Sequence, residues 1–182
     1  EVTGTVTGVY NVGGLIGVNK ADITGGRDTV NDKDSGYYLN KIYNNGVINV
    51  GNYTDADKDG KYEFAASNGQ NIGGLFGTNS GKVEAAYNTG AINASGSTNV
   101  GGIAGVNEQG GKLDQVFNTV MTGVDDKGNN VYGTITGKDN VGGLVGTNSG
   151  TLSNAYNTTA VNGAEGSTGN AVGVNDGKYA KV

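Results

Sequence analysis

The sequence predicts an all-β chain, a right-handed parallel β-helix (β-solenoid) of roughly 4–5 coils with loop insertions. Three observations predict it. Glycine occupies 36 of 182 positions while proline is absent, far above the usual share of about 7 % and without the triplet period of collagen. Each glycine in a helix interior would cost roughly 1 kcal/mol relative to alanine, so long helices are disfavoured. The apolar residues include many Val, Ile and Tyr, which suit a pleated, half-buried surface. The third observation is self-similarity, the signature of a chain that stacks one unit on the next.

A glycine-pair block opens each unit. It reads Val12-Gly-Gly-Leu-Ile-Gly-Val-Asn19, then Ile72-Gly-Gly-Leu-Phe-Gly-Thr-Asn79, Val100-Gly-Gly-Ile-Ala-Gly-Val-Asn107 and Val141-Gly-Gly-Leu-Val-Gly-Thr-Asn148. A worn copy, Ala171-Val-Gly-Val-Asn175, follows. The closing asparagines are 60, 28, 41 and 27 residues apart, which gives a unit of about 28 residues lengthened by insertions. A second block follows each first one and ends in Tyr43-Asn44, Tyr87-Asn88, Phe117-Asn118 and Tyr156-Asn157. A third strand-like run, Ala91-Ile-Asn93 or Gly133-Thr-Ile-Thr136, completes the unit. Turn signals such as Asn-Ser-Gly and Asn-Thr-Gly separate the runs.

Three such strands cannot bury their apolar face alone, but stacked units pair each strand with its counterpart about 4.8 Å away. Ladders follow. Leu15, Leu75, Ile103 and Leu144 should point inward, and Tyr43, Tyr87, Phe117 and Tyr156 should form an aromatic column. Asn19, Asn79, Asn107, Asn148 and Asn175 should form an amide ladder at a turn, where asparagine tolerates a left-handed backbone. The glycine pairs should be corners that need either positive φ or close backbone approach. A phosphate loop would need a following helix, and no copy has one.

These blocks resemble the GLUG motif of bacterial surface and secreted proteins. That group includes large adhesin-like exoproteins and non-catalytic regions of some immunoglobulin-A-cleaving metallopeptidases. The resemblance covers most of the chain as one unit over 1–182, and it implies an exposed module with no assigned chemistry. The stretches near 20–39, 51–70 and 120–138 depart from the tight repeat, and an individual function is expected there.

The net charge is −5 and Arg27 is the only arginine. Nucleic acid and anionic membrane surfaces both need clustered cations, so neither is an expected partner. No apolar run approaches the ~18 residues of a membrane span. The absence of cysteine removes disulfides and thiolate chemistry, and it suits a protein exported through a pore in extended form. The start at Glu1, with no leader, reads as a processed secreted protein or a piece of a longer one. An extracellular or cell-surface location is expected.

Catalysis is disfavoured because histidine and cysteine, the common base and nucleophile, are both missing. The acids fall mainly in insertions and turns, where solvation accounts for them. The Thr-x-Thr pairs at Thr3–Thr7 and Thr134–Thr136 do not recur in every unit, so no regular ice-binding array is expected. The best local site is Asp55-Ala-Asp57-Lys-Asp59-Gly60-Lys-Tyr-Glu63. Aspartates at loop positions one, three and five with glycine at six is how a short loop wraps calcium. Position twelve, where a bidentate glutamate closes such a loop, is Ala66. The set Asp55, Asp57, Asp59 and Glu63 is therefore a candidate calcium site, with backbone and water completing it, and a solvated acidic turn is the alternative. Asp32, Asp34 and Gly36, and Asp125, Asp126 and Gly128, are weaker versions.

Two functions remain in view. A binding module would offer Tyr37, Tyr38, Tyr53 and Tyr62 to a glycan or host protein. A filament subunit would self-associate end to end, because the chain opens and closes partway through a unit and open solenoid ends complement one another.

Overall fold

A computed structural model describes residues 3–24, 42–163 and 167–182. They form an all-β, solenoid-like architecture of four parallel sheets, each five strands deep along its main path. The first face stacks Thr5–Gly8, Val47–Thr54, Ile92–Asn93, Thr134–Gly137 and Ala160–Gly163. The second stacks Tyr10–Gly13, Gln70–Gly73, Thr98–Gly101, Asp139–Gly142 and Thr168–Gly169. Ile16–Asn19, Phe76–Asn79, Ala104–Asn107, Val145–Asn148 and Val172–Asn175 form the third. The fourth is centred on Lys82–Asn88 and Lys112–Asn118.

The chain visits the faces in that order and returns one strand spacing further along. Each pass therefore contributes four strands, not the three expected from sequence. The extra one is the second face. The glycine-pair block is not one strand but two, because its backbone turns at Gly74-Leu75 and both Leu75 and Phe76 donate their N–H groups to the Ile103 carbonyl.

Register aligns identical residues. Val12, Ile72, Val100 and Val141 stand one above another on the second face. Asn19, Asn79, Asn107, Asn148 and Asn175 do so on the third. Inward side chains collect in two columns. Ile48, Ile72, Ile92, Val100, Ile135 and Val141 fill the space between the first and second faces. Leu75, Phe76, Ile103, Leu113, Leu144 and Leu152 fill that between the third and fourth. Leu75, Ile103 and Leu144 are fully buried as expected, and Leu15 packs partly buried against them.

Glycine separates the two columns. A methyl group on Gly77 would run into the Asn11 backbone, with its Cα only 2.6 Å away, so at this point the second and third faces pass backbone against backbone. The corner pair works the same way. A Cβ on Gly74 would strike the Gly102 carbonyl oxygen and lie 2.5 Å from Asn88 Cγ. Gly73 and Gly74 have no positive φ. Close approach, not left-handed backbone, is what excludes a side chain there.

Three amide ladders bind the passes together. The expected one links Asn19, Asn79, Asn107, Asn148 and Asn175, each Nδ2 donating to the next Oδ1 at 2.7–2.9 Å. A second links Asn44, Asn88, Asn118 and Asn157 in the same direction. The third runs the opposite way, from Asn140 to Asn99 to Asn71 to Asn11. Left-handed backbone, which asparagine tolerates, belongs to this third set, with φ of 49–58°, and not to the Asn19 ladder. The Asn19 set instead caps its turn through the side chain: Asn79 Nδ2 also donates to the Gly81 carbonyl.

Candidate functional site

The described insertions are hairpins that leave the stack. Val47–Thr54 overruns the first face, turns through 55–62 and returns as the antiparallel strand Glu63–Ala66. Met121–Val124 and Asn130–Tyr132 form the second hairpin. The insertion near 20–39 lies almost wholly outside the described residues, and with it the Asp32 loop, Tyr37 and Tyr38.

The first hairpin tip brings Asp55, Asp57 and Asp59 together, with one carboxylate oxygen from each within 4.8 Å of the others. Glu63 stands outside this group, at the start of the return strand. Local bonding explains the convergence. Asp55 accepts the N–H groups of Asp59 and Gly60, Asp57 accepts that of Asp59, and Asp59 accepts that of Lys61. Lys58 and Gly60 take positive φ to close the turn. Lys61 Nζ also pairs with Asp59 at 3.1 Å. The three carboxylates are the oxygen donors a calcium ion would take, with solvent supplying the rest of its sphere.

Asp125, at the second tip, is a turn former. Its oxygens accept the N–H groups of Lys127 and Asn129 and the Asn129 side-chain amide. Those bonds, the Asn129 side chain first, hold its pKa below the usual carboxylate value. Among the described residues no metal-ligand group forms around it.

Each hairpin makes a cleft with the adjacent face. The first cleft has a volume of about 290 Å³. Val50, Ile92 and Ala94 close its base, with their side chains almost wholly buried in the core. Phe64 and Ala66 of the hairpin form one wall, and Asn93, Thr134 and Thr136 of the first face form the other. Phe64 lies across Gly51, where a Cβ would come within 2.6 Å of its ring, and it remains 40 % exposed. Tyr53 meets that ring edge-on at 5.8 Å. Asn93 is held by a 2.7 Å bond from its Nδ2 to Asn49 Oδ1. Ser67, also lining the cleft, has a buried hydroxyl without a hydrogen-bond partner.

The second cleft, about 350 Å³, lies between Asn130 and Tyr132 of the second hairpin and the fourth face at Tyr43, Tyr87, Thr89 and Thr119. The aromatic column predicted from sequence runs beside it. Tyr43, Tyr87, Phe117 and Tyr156 stack with centroids 4.7–5.1 Å apart and planes within 3° of parallel. Each inner ring covers its neighbours' faces, so the column offers mainly ring edges.

Sequence reasoning singled out the acidic tip and the exposed Tyr53 and Tyr62. It missed Phe64, Asn93 and the position of Thr134 and Thr136 opposite them. The signal was weak, because these residues come from three different passes, and the Asn93↔Thr136 register together with the hairpin's return makes them neighbours. Family models, curated proteins and solved structures offer no match to this chain.

Proposed function

We propose that this chain is a non-enzymatic structural and adhesive module of a bacterial surface or secreted protein, working outside the cell. The observation that carries the reading is a division of labour. Inward positions are taken up by apolar ladders, while the hairpins leave the faces and carry exposed Tyr53, Tyr62 and Tyr132. A stiff stack that displays variable loops is built for presentation, and amphipathic rings on those loops suit recognition of a glycan or host protein. The GLUG-like blocks and the absence of cysteine agree with an exposed, exported location.

In this reading the stack winds right-handed through 4–5 coils, the hand taken by about 98 % of parallel crossover connections. Calcium, held by Asp55, Asp57 and Asp59 with Glu63 or water completing the sphere, would pin the first hairpin tip. The test immobilises the protein and passes glycans and extracellular-matrix proteins over it, with about 1 mM calcium or with a chelator, the range in which extracellular calcium modules bind. Retention of at least one ligand, and a melting temperature raised by calcium, are expected. A module that retains nothing in either condition is not adhesive, and an unchanged melting temperature removes calcium.

A second reading, end-to-end self-association into an extracellular filament, is favoured by one observation. The Asn19 and Asn44 ladders both point their amide donors the same way along the stack. Opposite ends of the stack are thus complementary, as a heterologous, non-closing contact requires.

A further inference from the structure

We propose that the cleft between the first hairpin and the first face binds a neutral saccharide unit; this assignment rests on the adhesive reading. The cleft sets an aromatic wall at Phe64 against a facing rank of amide and hydroxyl groups at Asn93, Thr134 and Thr136. A sugar ring has the matching form, with C–H faces that pack on aromatic surface and a rim of hydroxyls that bond to amides and hydroxyls. The volume of about 290 Å³ suits one such unit of a longer glycan. Asn93 is already oriented by Asn49, so less freedom is lost on binding.

No charged side chain lines the cleft among the described residues. An anionic sugar or phosphate therefore finds no cation, and a charged peptide finds no counter-ion. The rival occupant is an extended peptide added to the outer edge of Glu63–Ala66, which pairs only with Val47–Thr54 among the described strands. The aligned side chains on the opposite wall favour the sugar, because a peptide bonding to that edge would leave them without a role.

The experiment titrates the full chain with neutral tetrasaccharides of glucose, xylose, mannose and N-acetylglucosamine, following amide and methyl NMR shifts. At least one tetrasaccharide is expected to shift Phe64, Asn93, Thr134 and Thr136 together. Phe64→Ala should weaken it at least tenfold. Thr134→Lys, at an exposed outward position that leaves the stack intact, should do the same by obstructing the cleft. If Phe64→Ala disorders the hairpin, Thr134→Lys alone decides. Shifts elsewhere, or equal affinity in Thr134→Lys, overturn the cleft while leaving an adhesive module. Binding only of matrix proteins, or cleft shifts only with an uncharged extended heptapeptide, overturns it too. A chain that holds neither glycan nor matrix protein overturns both readings.

Discussion

Asparagine, at the residue scale, holds this protein together by exhausting its side-chain amide. Asn107 is fully buried, accepts from Asn79 at 2.9 Å and donates to Asn148 at 2.8 Å. Its Nδ2 also reaches the Thr151 and Gly111 carbonyls at 3.3–3.4 Å. A buried amide is tolerated because its donors and acceptor are met, and removing one rung leaves polar groups unpaired on both sides. Asn107→Ala should therefore destabilise the fold by about 3 kcal/mol, the cost of leaving one Asn79 Nδ2 hydrogen and the Asn148 Oδ1 without their partner. Urea unfolding would show this as a lower midpoint with little change in slope. A loss below about 0.5 kcal/mol, the size of an ordinary surface substitution, would mean the ladder adds little.

Elements differ by whether they stack or stand off. Strands inside the four faces are held by neighbours on both sides, whereas each hairpin is a two-stranded unit of marginal independent stability. Turn chemistry matters more there. Asp125 closes its tip through bonds that favour the ionised carboxylate and lower its pKa. Ionised Asp125 thus stabilises the turn above the ordinary carboxylate pKa, and that contribution disappears as pH falls through the lowered value. The Lys127 and Asn129 amide resonances should accordingly titrate with a midpoint below the ordinary carboxylate value. Asp125→Asn should abolish the transition, and a midpoint at or above the ordinary value would contradict the assigned bonding. The Asp55 tip spreads its backbone bonds over three carboxylates, which is why it, and not the Asp125 tip, groups potential metal donors.

The whole molecule behaves as a one-dimensional stack in which each pass touches mainly its neighbours. Two of its three amide ladders point one way and the third points back, so the stack has polarity. Contacts between ends would be head to tail. If the filament reading holds, the full chain at tens of micromolar should form linear polymers by negative stain, with sedimentation rising with concentration. Asn175→Asp, which replaces the amide donor at one end of the Asn19 ladder, should shorten them. Compact isolated particles at every concentration would dismiss self-association and leave the displayed module.

The repeat alone determined the strand class, the residues that share a rung, the inward leucine column and the separate aromatic column, because stacking places equal positions of successive units above each other. Glycine and asparagine spacing was legible for the same reason. The separation of the glycine-pair block into two faces was not legible, nor was the reverse Asn11 ladder. Both depend on how closely one backbone passes another, as at Gly77 against Asn11. The cleft was hidden most completely. Phe64, Asn93 and Thr134 lie far apart in sequence, and only the return of a hairpin over neighbouring passes makes them face each other. Local pattern encodes what repeats along the chain, whereas a site assembled across passes exists only once the passes are stacked.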